Sequence, residues 1–222
     1  MTSAMLRRLS PLALLAALGL PVPARLAAQG APVAAPAVAA APAGITPPHP
    51  ADVRFMTHMI DHHAQALVMS AMVPHHSSRR DLRLLAERIA VSQGDEIAQM
   101  REWLLVRGQP APTPVTTFSG PSAHAGHAGH GGMSHGGAQH GIDHGGGALM
   151  PGMLTGAQLD SLAAARGPAF DRLFLRYMIA HHEGALTMVA ELFAAPGAGE
   201  EPQLFGFASD VDADQRAEIA RM

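Results

Sequence analysis

Two pairs of adjacent histidines, His62-His63 and His181-His182, are the side chains of this chain best suited to chemistry. Each pair sits in the same frame. Residues 52–70 read DVRFMTHMIDHHAQALVMS and residues 171–189 read DRLFLRYMIAHHEGALTMV. At a constant offset of 119, nine of nineteen positions agree without a gap. They include Asp52/Asp171, Phe55/Phe174, Met59/Met178, both histidine pairs and Met69/Met188. Imidazole with thioether is a soft donor set. It suits Cu(I), tolerates Cu(II) through the imidazoles, and offers little to Mg or Ca. Zinc accepts His but does not favour Met. A di-iron bundle needs inward Glu plus Glu-x-x-His on two helices. Here the residues three before His62 and His63 are Met59 and Ile60. Glu96 and Glu218 are inward candidates, but two carboxylates are too few for that set.

The donors must share a face to act together. On a helical wheel centred on Met59, Phe55, His62, His63 and Ala66 fall within roughly 60°. Met69 lies about 80° away on the same wheel. The second copy offers Phe174, Met178, His181, His182, Ala185 and Met188. An inner stripe of a bundle is normally aliphatic, and buried imidazoles need hydrogen-bond partners or a metal. The expected ligands are therefore His62, His63, His181 and His182. Met59, Met178, Met69 and Met188 join them. His58 has Tyr177 as its counterpart in the second copy and is expected to be peripheral. Asp52 and Asp171 read as capping or first-turn residues.

The elements carrying these stripes read as helices. A first helix starts after Pro50 and runs to about Met72, stopped by Pro74. Ser78 with Asp81 resembles the start of a second, which ends near Arg107 at Gly108 and Pro110. A short helix follows Thr155, capped with Gln158 and ended by Gly167. Pro168 opens the next helix, which runs to about Ala195, and a last helix fills 201–222. The second helices also echo each other: Gln93-x-x-Glu96-Ile97-Ala98-x-Met100 matches Gln215-x-x-Glu218-Ile219-Ala220-x-Met222. That echo adds Met100 and Met222 to the candidate ligands. It also makes the repeat unit a whole hairpin. The expected fold is all-α, two repeated αα-hairpins closing into a four-helix bundle. The second copy stops at Met222, so its last helix is expected to be the shorter.

Composition bounds the rest. The 222 residues hold 14 His, 13 Met and no Cys, so thiolate takes no part in any metal site. Residues 1–30 read as a secretory signal, with Arg7 and Arg8 before an apolar run too short to span a bilayer. Residues 31–50 form an Ala/Pro-rich linker. The folded segments are 51–108 and 153–222. Between them, 109–152 is rich first in Pro, then in Gly and His. It carries His124, His127, His130, His135, His140 and His144, a tract suited to loose capture of Cu(II), Ni(II) or Zn(II). A net charge of −3 without basic clusters argues against nucleic acid. No stable membrane insertion is expected once the signal is removed.

The motif Asp-x-x-Phe-x-x-x-Met-Ile-x-His-His-x-x-Ala-Leu-x-Met, followed by Glu-Ile-Ala-x-Met, resembles a secreted bacterial domain-of-unknown-function family. The resemblance spans 51–108 and 153–222. It implies a ferritin-like four-helix bundle and, by analogy with a copper-binding member, extracytoplasmic copper binding through His and Met. The Gly/His tract is not part of that motif. The expectation is a periplasmic or secreted copper-binding protein that sequesters or carries copper and is not an enzyme. Zinc and iron are less favoured cargoes. Two alternatives compete with it: a ferritin-like oxidase acting on Cu(I) or Fe(II), and a metal-free interaction bundle with hydrogen-bonded histidines.

Overall fold

A computed structural model describes residues 47–119 and 149–222. The signal segment, most of the Ala/Pro linker and the six histidines of the Gly/His tract lie outside the described residues. Five helices follow in order: α1 Pro50–His76, α2 Arg80–Val106, α3 Gly156–Ala164, α4 Gly167–Ala194 and α5 Pro202–Ile219. No strand occurs among the described residues. α1 pairs with α2, α4 with α5, and the hairpins join through α1 against α4. The short α3 touches α1 and α4. The all-α bundle of two repeated hairpins is as expected.

The helix ends show what local chemistry set and what packing overrode. Thr155 makes the expected capping box: its hydroxyl accepts from Gln158 N–H, and Gln158 reaches back to Thr155 N–H. Gly108, past the end of α2, adopts φ 67°, a conformation that glycine takes without steric cost. Pro74 does not stop α1, which runs on to His76. The last turn is held from outside: His76 Nδ1 lies 2.9 Å from Ala165 O, and its ring packs on Phe170 at 4.9 Å. Nor does Ser78 start α2. Arg79 is the N-cap and has no side-chain cap, while Asp81 is drawn to the Arg79 guanidinium. Gly167 is the first residue of α4 rather than the stop of α3. α4 therefore begins early enough to place Asp171 beyond the first turn, buried rather than capping. Asp52 does sit in the first turn of α1, but its carboxylate accepts from Gly199 N–H at 2.8 Å, pinning the α4–α5 turn.

The core divides into two apolar clusters. One gathers Phe55, Met59, Met100, Trp103, Met188, Leu192 and Phe207. The other gathers Met69, Leu82, Ile89, Phe170, Phe174 and Met178. The early part of α1 thus packs with the late part of α4, and the reverse, so the two helices run antiparallel. Each buried side chain of this size contributes about 1.5–3 kcal/mol. Along α1 the histidines fall between Met59 of one cluster and Met69 of the other. Along α4 they fall between Met178 and Met188. The imidazoles form the layer that separates the clusters.

Candidate metal centre

Helical periodicity turns all four histidines inward, as the wheel predicted. His62, His63, His181 and His182 are each 0% exposed. The crossing of α1 and α4 brings His62 and His181 face to face, ring centroids 3.8 Å apart and tilted by 36°. Each neighbouring pair is spread along its own helix, His62–His63 at 6.4 Å and His181–His182 at 6.3 Å.

The outer ring of each pair meets a carboxylate from the second helix of its hairpin. His63 Nε2 lies 2.5 Å from Glu96 Oε2, and His182 Nε2 lies 2.6 Å from Glu218 Oε2. An ionised carboxylate only accepts, so each Nε2 carries the proton. In the neutral imidazole the lone pair is then left on Nδ1. Both of these Nδ1 atoms are buried without a partner. His62 follows the same rule by another route, because its Nε2 donates to Pro151 O at 2.9 Å. Its Nδ1 is likewise unpartnered, and neither nitrogen of His181 has a partner in hydrogen-bond geometry.

Electrostatics keeps the central rings neutral. Burial, with a smaller contribution from adjacent His63, pushes His62 down to about 3. Burial first, and His62 next, hold His181 well below the ordinary histidine range. A neutral ring with a free lone pair is the form that binds a metal.

The methionines divide. Met59, Met178, Met69 and Met100 are fully buried and Met188 nearly so. Met59, Met188 and Met100 lie in the cluster on one side of the histidine layer, and Met178 and Met69 in that on the other. Met222 lies beyond the end of α5, half-buried against the second cluster. Among the described residues no three His, Asp or Glu side chains converge on a point that could hold a metal ion. His58 is exposed, as expected from its tyrosine counterpart.

Several site residues were not in the expected ligand set. Glu96 and Glu218 orient the outer rings, and their matched place in the hairpin echo was the available signal. The segment before α3 was not foreseen at all. Gln65 grips it with both ends of its amide, accepting from Leu154 N at 2.7 Å and donating to Leu154 O at 3.0 Å. Opposite, Gly184 lets Pro151 and Gly152 lie directly on α4. A Cβ at position 184 would strike the Pro151 carbonyl and come within 2.7 Å of Gly152 Cα. This close approach places Pro151 O over His62.

Relatives share this arrangement of helices. A DUF305 fragment from Deinococcus radiodurans is 30% identical with a TM-score of 0.58, covering 79% of this chain and 94% of its own. A DUF305 protein from Streptomyces coelicolor, described as secreted, is 25% identical with a TM-score of 0.56, covering 77% and 88%. CopM in its Cu(II)-bound form is 28% identical with a TM-score of 0.52, covering 77% and 91%. Comparison with curated proteins finds no match. The family model for the domain of unknown function DUF305 matches residues 52–222, and the chain belongs to that family.

Proposed function

We propose that this protein binds copper outside the cytoplasm, as a sequestering or carrying protein rather than an enzyme. The observation that carries the reading is the set of buried imidazole nitrogens without partners on His62, His63, His181 and His182. An unsatisfied buried polar atom costs about 1–3 kcal/mol. A layer of them inside an otherwise packed bundle needs a compensating ligand, which speaks against the metal-free alternative. Soft thioethers on both sides of the layer favour copper over zinc. Similar structures of CopM carry Cu(I), Cu(II) or Ag.

In this reading Glu96 and Glu218 hold His63 and His182 in the tautomer that leaves Nδ1 free. A carboxylate behind a ligating histidine also raises its basicity. Since no three carboxylate or imidazole side chains converge among the described residues, each ion held there takes one or two imidazoles and completes its shell with methionine sulfur. Met59, Met178, Met69, Met188, Met100 and Met222 are the candidates. The Gly/His tract with His124, His127, His130, His135, His140 and His144 gathers Cu(II) nearby. Export fits a chain in which, among the described residues, no helix is long and apolar enough to cross a membrane.

The test replaces His62, His63, His181 and His182 by Ala and measures copper stoichiometry and affinity by native mass spectrometry and competition titration. Tight binding should be lost, and circular dichroism should still report a helical protein. Unchanged stoichiometry and affinity would sink the reading.

A further inference from the structure

The segment that covers His62 also roofs a cavity. Between α1, α4 and residues 150–151 lies a space of about 170 Å3. His58, Met150, Pro151 and Met188 line it, with Arg54 and Glu191. We propose that this cavity is a second site, reachable from solvent, where Met150, Met188 and His58 bind a soft monovalent cation, Cu(I) or Ag(I), before it passes to the buried histidines. The passage rests on the proposed function above; the cavity site does not.

The chemistry of the lining selects the ion. Two thioethers and an imidazole are neutral donors with a preference for soft metals. Arg54 and Glu191 contribute one charge of each sign, so the cavity attracts by softness rather than by net charge. Packing alone does not require this set. Leucine would fill the positions of Met150 and Met188 as well, and His58 is exposed at the rim. Met150 is only half-buried, while Met188 belongs to the core cluster. The site is one-sided. The repeat places Tyr177 where His58 stands and Met69 where Met188 stands, and a phenol is no substitute for the imidazole.

Position connects the cavity to the buried layer. Pro151 lines the cavity, and its carbonyl accepts from His62 Nε2 at 2.9 Å. Pro151 therefore borders the cavity and also touches His62. Passage is ligand exchange at constant oxidation state: a sulfur–metal bond breaks as an imidazole–metal bond forms.

The experiment uses the full chain, Met-methyl-labelled, titrated with Ag(I) as a redox-inert probe. In the wild type the first Ag(I) should shift the Met150 and Met188 methyl signals, and imidazole signals should follow. Met150→Leu with His58→Gln removes two of the three cavity donors and should slow the imidazole response at least about tenfold. Final imidazole occupancy should stay the same. A variant carrying His62→Gln, His63→Gln, His181→Gln and His182→Gln should keep the Met150 and Met188 shifts. If that variant does not fold, the double variant against wild type carries the test. Silent Met150 and Met188 methyls, or an unchanged loading rate in the double variant, would overturn the proposal. Responsive methyls with silent imidazoles would leave the cavity site standing and remove the buried one.

Discussion

The two hairpins present the same donors, yet the rest of the chain treats them differently. In the first, position 65 is a glutamine whose amide grips Leu154. In the second, the equivalent position is Gly184, whose missing side chain lets Pro151 and Gly152 lie against α4. As a result His62 has a carbonyl partner and His181 has none. The outer pairs stay alike: His63–Glu96 and His182–Glu218 differ by only 0.1 Å in length. The difference teaches how a repeated scaffold acquires a direction. Helix periodicity sets out the donors in two equal sets. One connecting segment then leans on both sets and is anchored by opposite means, a long polar side chain on one side and no side chain on the other.

Acid should have the largest effect and tests whether the asymmetry reaches the central rings. His62 titrates near 6.5 when unfolded and at about 3 when folded. The unfolded chain therefore binds more protons below about pH 6.5. Stability is full above that pH and falls as pH drops towards 3, by about 1.4 kcal/mol per pH unit for His62. His181 is depressed by burial in the same direction and adds to the loss. Urea midpoints at pH 7 and pH 4.5 should separate widely in the metal-free protein. His62→Gln and His181→Gln should each flatten that dependence. Equal flattening means the carbonyl on His62 matters little; a slope untouched by either change contradicts the buried neutral rings.

Next comes Gly184→Ala, a change that would be mild or stabilising in an ordinary helix. Here the new Cβ meets backbone rather than a movable side chain. A cost of about 3 kcal/mol is expected from overpacking, with faster amide exchange in residues 150–154. A stabilised variant would show that the segment does not press on α4. Gln65→Ala probes the other anchor. It leaves the Leu154 N–H and C=O without their partner and should cost about 2 kcal/mol in denaturant unfolding. A loss below about 0.5 kcal/mol, the range of a neutral surface change, would mean that glycine contact alone seats the segment.

The smallest effects concern the pairs that look equal. Glu96→Gln and Glu218→Gln each keep the shape but lose the carboxylate behind the ring. Each should weaken copper about tenfold, and competition titration should find the two losses alike. Unequal losses would extend the asymmetry from the segment to the outer pairs.

The inward face of His62, His63, His181 and His182 was legible because helix period is a local property, and the capping box at Thr155 was legible for the same reason. The stop assigned to Pro74 failed because His76 gains contacts from Ala165 and Phe170, far along the chain. Asp171 lost its expected place because α4 starts at Gly167, one residue before Pro168, and the carboxylate falls past the first turn into the core. Glu96 and Glu218 stood in the repeated pattern, but their rotamers and partners depend on how α2 and α5 pack.

From the sequence alone come the family, the all-helical repeat, and the choice of imidazole and thioether at positions that must turn inward. The family is carried by the repeated His-His motif, while the helices and the inward donors follow from composition and a 3.6-residue period, which act within a few turns of the chain. Tertiary structure alone decided that His62 and His181 meet at 3.8 Å, that two carboxylates set the tautomers of the outer rings, and that a segment beginning 88 residues after His62, at Met150, folds over it. Those outcomes depend on antiparallel packing of α1 on α4 and on the space left by one missing side chain at Gly184, and neither is encoded in any local stretch.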